Sequence, residues 1–303
     1  KKATKFNCKR DGRMRFIALT SILLAISQDV RFHGWCEKYG IKVHNCVRLE
    51  TTPKSVAGRG VFANAPLSEG DVAVAIPEHC VFIEKNLSPM FPKLSAKLKR
   101  RRKRFLWFGR ILRSKDDYDE LVDNLWQAEL TAFASASKDA DHPWGEWIGQ
   151  WKRDDATHSM FKRNISWKND PEIQNTATEL HRFLPRVSFN YVEAALKMRL
   201  KRYHDLKTIY KLDDSSSTAD IYSTLCSRSV QLGKNIVGII PMFDMFNHSP
   251  QPNLALCFDG EEFTLFCTRD IQQGEELFIK YTSNDKDPND EINELWNLIQ
   301  WGF

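Results

Sequence analysis

The sequence predicts an α+β protein in which two β-rich blocks flank a long helical insert. Three observations predict it. Short β-branched and aromatic runs, punctuated by Gly and Pro, fill the stretch before residue 85. From Lys85 to Asp220 the pattern turns helical, and strand-like runs return at "NIVGII" (Asn235 to Ile240). A chain of 303 residues has ample core to fold without staples.

Composition narrows the class. Hydrophobic residues make up 42% of the chain, with nine Trp and nineteen Phe, which excludes a disordered protein. A net charge of +5 is mild at this size and does not by itself imply nucleic acid. The seven cysteines (Cys8, Cys36, Cys46, Cys80, Cys226, Cys257 and Cys267) form no C-x-x-C pair, so zinc-site spacing is absent and no metal is expected. An odd, scattered set reads as reduced thiols in an intracellular compartment, packed as small hydrophobes.

The elements follow in order. Residues 1–30 form an N-terminal extension in which seven Lys/Arg and one acid precede "FIALTSILLAI" (Phe16 to Ile26). Eleven residues are too few to span a bilayer. The segment reads as a helix packed on the domain, with an organelle-targeting segment as the alternative. The cytoplasm or nucleus is therefore expected, with import into an organelle as the second reading. No membrane contact is expected.

"RFHGWCEKYG" is a short amphipathic helix closed by Gly40. "GVFANAP", "DVAVAIP" and "CVFIE" read as strands. "DELVDNLWQAELTAFASASKD" is apolar on two faces, through Leu121, Leu125, Ala128 and Ala132 and through Val122, Trp126 and Phe133, so it is a buried helix. "DDSSSTAD" is a loop, "IYSTLCSRSVQL" a helix, and "NLALCFDGEEFTLFCT" two strands turning at Asp259-Gly260. "ELFIKY" is a strand and "DEINELWNLIQWGF" a final helix.

In "KLKRRRKRFLWFGR" seven of the eight residues from Lys97 to Arg104 are cationic. This run reads as a solvated helical face, with a nucleic-acid patch or a docking site for an acidic surface as alternatives. Phe105, Leu106, Trp107 and Phe108 are expected to pack into the insert.

Three separated pieces carry the chemistry. "AGRGVFA" (Ala57 to Ala63) has two glycines that let backbone approach a ligand, though no third glycine makes it a dinucleotide fingerprint. "PMFDMFNHSPQPN" (Pro241 to Asn253) places Asp244, Asn247 and His248 in an apolar run, where polar groups need partners or a ligand. "GEELFIKY" is a turn and strand ending on Tyr281.

An Arg-Gly turn, then N-H-S, then G-E-E-L-x-I-x-Y resembles the SET-domain protein methyltransferases. The inserted helices, the "SR" pair and "PMFDMFNHS" resemble the Rubisco large-subunit methyltransferase subgroup. The resemblance spans roughly 31–303 and is strongest in 55–83 and 222–303. It implies a SET fold of short sheets with a pseudo-knotted C-terminal segment. Residues 31–84 and 221–303 would be its two halves, 85–220 an inserted helical subdomain, and a helical substrate-binding domain would follow residue 303.

The resemblance also implies S-adenosylmethionine as methyl donor and a lysine of a non-histone protein as acceptor, on a monomeric enzyme. The donor would be held by backbone of Ala57, Gly58 and Arg59, by the Arg228 guanidinium on its carboxylate, and by Asn247, His248 and Tyr281. Phe303 would stack on the adenine. Tyr281 would be the catalytic residue. Carbonyls of Ser227 and Asp244 would surround the methyl and the incoming amine, with Arg228 and Trp301 completing the substrate side.

Two departures concern the acceptor. Val230 and Leu232 stand where the plant enzymes have an aromatic and a basic residue, and Trp301 replaces a channel tyrosine. An indole there would favour a monomethylated product. The rival readings are a SET-fold histidine methyltransferase and a catalytically silent SET module that binds protein or RNA through the basic run.

Overall fold

The computed structural model describes residues 34–51, 59–138, 144–145, 147–148, 170–213, 216–233 and 236–281. The N-terminal extension and the expected final helix lie outside them.

The first block supplies β1 (Lys42–Val43), β2 (Val47–Thr51), β3 (Arg59–Ala63) and β4 (Val72–Pro77). After the helices come β5 (Val230–Gly233), β6 (Ile236–Gly238), β7 (Asn247–His248), β8 (Leu254–Phe258), β9 (Glu262–Cys267) and β10 (Glu276–Ile279). One sheet has the order β1-β4-β9-β8, a second β2-β3-β10-β7, and β5-β6 is a separate hairpin. Both four-stranded sheets therefore join strands from before and after the helices. The expected α+β architecture is observed.

Period-two patterning explains the strands. In β9, Phe263, Leu265 and Cys267 are buried while the residues between them are half-buried. The β8–β9 turn forms at the expected place. Gly260 takes a φ of +105°, and the Asp259 carboxylate accepts from the Glu261 and Glu262 amides, both at 2.9 Å.

The expected "CVFIE" strand is not one. Phe82 makes only an isolated bridge to Ile239, and α1 (Glu84–Leu87) begins directly after it. The Asn86 amide donates to the Glu78 and Val81 carbonyls at 2.8 and 2.9 Å, so a side chain takes acceptors that a neighbouring strand would otherwise use. Gly238 permits the close bridge: a Cβ there would stand 2.8 Å from the Phe82 carbonyl oxygen.

The helices after α1 are α2 (Pro92–Leu112), α3 (Lys115–Lys138), α4 (Asp170–Phe183), α5 (Phe189–Tyr210) and α6 (Ser216–Arg228). α6 begins inside the stretch expected as a loop, and ends before Val230 rather than running through "SVQL". α3 is buried along Leu121, Leu125, Ala128 and Phe133, as its two apolar faces require. Tyr210 and Tyr222 donate from α5 and α6 to Glu129 and Gln127 of α3. The main core runs from the sheets through these helices, while Ile173, Leu180, Val192 and Leu196 form a separate cluster between α4 and α5.

α2 buries Ser95, Leu98, Phe105 and Gly109. The Phe105 ring lies across Gly109, where a Cβ would meet it at 2.6 Å. The basic run is not uniformly solvated. Arg101 donates to the Tyr210 carbonyl, Arg102 reaches the buried Glu129 carboxylate at 3.2 Å, and Lys99 pairs with Glu84 at 3.5 Å.

The expectation that Phe105 to Phe108 pack inward is corrected. Phe105 does, but Leu106, Trp107 and Phe108 face solvent. A helix with residues at every angle cannot bury four consecutive side chains against one partner. Among the cysteines, Cys36, Cys80, Cys226 and Cys267 are buried as expected, whereas Cys257 is exposed and Cys46 half-buried. Among the described residues, no helix is long and apolar enough to cross a membrane.

Candidate active site

The site forms where β7 meets β10. Their pairing is parallel, with Asn247 opposite Phe278 and His248 opposite Ile279, while the other edge of β10 pairs antiparallel with β3. β10 therefore brings Tyr281 beside the Asn-His pair from a position remote in sequence.

The turn before β7 is tightly made. Met242 is buried and has φ +70° and ψ −42°, an uncommon backbone for a side chain of its size. A 3-10 turn (Phe243–Met245) follows, leaving Phe246 extended. The Tyr281 hydroxyl donates to the Phe246 carbonyl at 2.6 Å. With its proton committed there, the phenol oxygen is presented as an acceptor.

His248 braces the same residue from behind. Its Nδ1 accepts from the Tyr281 amide at 3.1 Å, so the ring proton of the neutral form sits on Nε2. The two rings are 5.4 Å apart, tilted by 48°. Burial, then the nearby Lys280 charge, lowers the imidazole pKa from its ordinary 6.5.

The sign follows from linkage. The unfolded chain takes a proton near pH 6.5 that the folded chain resists, so this contribution is present above that value and lost as pH falls through the folded pKa. Unfolding free energy is expected to drop as pH falls from about 7 toward 5. His248→Gln should flatten that slope in urea titrations at several pH values.

Arg228 was expected to hold the carboxylate of a donor. Here it closes the end of α6 onto the turn: one Nη donates to the Asp244 carbonyl at 2.7 Å and to its carboxylate at 3.0 Å. The pair is buried, with 8% of the Arg228 and none of the Asp244 side chain exposed. The Asp244 carbonyl, expected to face the methyl group, thus accepts from Arg228, and the carbonyl at the tyrosine is that of Phe246. Ser227 turns its hydroxyl back to the Thr224 carbonyl at 3.0 Å.

Asn247 donates to the Glu276 carboxylate at 2.6 Å. Arg59 opens β3, opposite Thr51. Ala57, Gly58, Trp301 and Phe303 lie outside the described residues.

Three contributors were not assigned from sequence. The Phe246 carbonyl is backbone and leaves no residue-type signal. Glu276 was detectable as the second acid of "GEEL", on a strand that must pair at both edges. Asn253, buried, donates to the Glu276 carbonyl at 2.9 Å and accepts from the Phe278 amide at 2.7 Å, an amide standing in for a strand partner. Its place at the end of the "NHSPQPN" loop, just before a strand, is the available signal.

The junction brings together the Phe246 carbonyl, the Tyr281 phenol oxygen and a neutral imidazole, while the Asp244 and Glu276 carboxylates are buried on Arg228 and Asn247. Such a donor set suits a cationic ligand, because oxygen acceptors stabilise positive charge and an imidazolium would oppose it. Among the described residues, no group of three or more His, Cys, Asp or Glu is placed to hold a metal ion.

A family model described as "SET domain" matches residues 58–282. The human histone-lysine N-methyltransferase SMYD3 is 41% identical over 59 residues, which is 19% of this chain and 13% of that protein. The mouse SMYD3 is 39% identical over a stretch of the same length. A solved SET domain of LSMT bound to lysine and AdoHcy aligns with 91% of this chain at a TM-score of 0.52 and 15% identity. Rubisco LSMT bound to AdoMet aligns equally well, at 16% identity. The chain spans 57% of the former and 56% of the latter.

Proposed function

Since the chain belongs to the SET-domain family, we propose that it is an S-adenosylmethionine-dependent methyltransferase acting on lysine side chains of a non-histone protein. The observation that carries this reading is the Tyr281 hydroxyl fixed at 2.6 Å on the Phe246 carbonyl, at the junction of β7 and β10.

When bound, S-adenosylmethionine supplies an electrophilic methyl group on a cationic sulfur. The residues of this chain supply the remainder. Tyr281 and the Phe246 carbonyl, oxygen acceptors already fixed by the fold, would orient an amine and stabilise the positive charge of the sulfonium. Backbone of Asn247 and His248 offers hydrogen bonds to a purine edge. Arg228, locked on Asp244, keeps the turn and the end of α6 in register, and its guanidinium is the nearest candidate for a ligand carboxylate.

The acceptor lysine must lose a proton before it attacks, at a cost of about 4–5 kcal/mol near pH 7. An apolar surround and the positive charge of a bound sulfonium would lower that cost by disfavouring the ammonium. Tyr281 serves as a positioning group for the reaction and not as the base, since a phenol titrates near ~10.

The test is calorimetric titration with S-adenosylmethionine, then transfer of labelled methyl into a cell extract with peptide mapping. Micromolar donor binding and label on lysines of proteins other than histones are expected. A well-folded chain that binds no donor overturns the enzyme reading, and label confined to histones overturns the substrate class.

A further inference from the structure

The outward face of α2 is unlike any other surface of the described chain. Lys97, Arg100, Lys103 and Arg104 project along its middle, and all four are exposed. One and two turns further on stand Trp107, Phe108, Ile111 and Leu112, exposed by 72%, 55%, 79% and 81%. Spacings of three, four, seven and eight residues put Lys97, Arg100, Arg104, Trp107, Phe108 and Ile111 on one side of the helix, opposite Leu98 and Gly109, with Lys103 and Leu112 at its two margins. Among the described residues, Arg100, Lys103 and Arg104 have no ion-pair partner. A helix thus anchored by its inner face presents a rigid outer one, basic in its middle and apolar at its tip.

We infer that this face docks an acidic amphipathic helix of a protein partner. Charge complementarity selects carboxylates over Arg100, Lys103 and Arg104, and the four apolar side chains select an apolar stripe beyond them. Nucleic acid fits less well. Ile111 and Leu112 are the most exposed of the four and have no ring to stack, and the Trp107 and Phe108 rings are tilted by 58°. An anionic bilayer fits less well too. Tyr118 stacks on Phe105 at 5.6 Å, which brings the first turn of α3 beside the tip, with Asp116 and Asp119 exposed there. The inference is independent of methyl transfer.

The probe is a labelled peptide of about four heptads with Leu at a and d and Glu at e and g, its binding to the 303-residue chain read by fluorescence anisotropy. The comparison probes are the same peptide with Lys at e and g, oligouridine of about 20 nucleotides, and phosphatidylcholine vesicles with about one-third phosphatidylserine. Saturable binding of the Glu peptide is expected, at least ~10-fold tighter than the Lys peptide. It should weaken at least ~10-fold in Ile111→Asn/Leu112→Asn and in Arg100→Gln/Arg104→Gln. Both variants should keep the parent melting temperature, since the substituted side chains are exposed. No saturable binding, equal binding of the two peptides, unchanged binding by folded variants, or tighter binding of oligouridine or vesicles than of the Glu peptide overturns the inference.

Discussion

Tyr281→Phe is expected to lower methyl transfer at least ~10²-fold, the usual loss when one oriented polar group leaves a dry site. The change removes one oxygen and opens no large cavity. The Tyr281 amide still donates to His248, and the β7–β10 register rests on backbone, so the fold should persist. Two things are lost together: the acceptor oxygen near the reacting centre and the hydrogen bond that fixes the Phe246 carbonyl. Donor affinity should change little, which separates a rate defect from a binding defect. Single-turnover transfer at saturating donor measures the first and calorimetry the second. Unchanged turnover would remove Tyr281 from the chemistry.

Asp244→Ala is expected to destabilise the chain by ~3–5 kcal/mol, the range for breaking a buried ion pair by removing one partner. The magnitude comes from Arg228, whose side chain is 8% exposed and would be left without its carboxylate. Replacing both residues, as Asp244→Ala with Arg228→Met, should cost less than the single change, because no buried charge is then stranded. Urea unfolding of the three proteins measures this. Equal losses in the single and double variants would mean that the pair is not the source of the effect. Arg228→Ala should also weaken donor binding if its guanidinium meets a ligand carboxylate, by ~1.5–3 kcal/mol.

Much of this arrangement was legible in the residues. The Asp259-Gly260 turn, the period-two strands and the two-faced α3 each follow from local chemistry, and local chemistry is what sequence displays. The meeting of Asn247, His248 and Tyr281 was legible from motif order, since two β blocks around one insert must share a core. The partners of individual side chains were not. Arg228 and Asp244 are both charged residues near the site, and nothing local says that the guanidinium will close on the acid rather than face a ligand. The α2 sequence is similar in kind. It carries apolar residues at all angles, and only the packing of α3 and α5 decides that Phe105 turns in and Trp107 out. "CVFIE" failed for a related reason: the Asn86 amide took backbone acceptors that strand propensity assigns to a neighbour.

The pairing of β3 with β10 sets the order of events when the chain folds. Phe62 lies opposite Glu276, with α1 to α6 between them. Closing so long a loop adds little to the equilibrium cost, about 0.6 kcal/mol for each doubling of length. It does slow folding, because non-local pairing must wait for the chain ends to meet. Helical signal should therefore appear early in a refolding experiment, and the β3–β10 pairing late. During that interval the edges of β3 and β9 lack their partners, and open strand edges pair readily with other chains. The β3–β10 seam is thus the last to close, and until it does the open edges of β3 and β9 are the parts of the chain most exposed to aggregation.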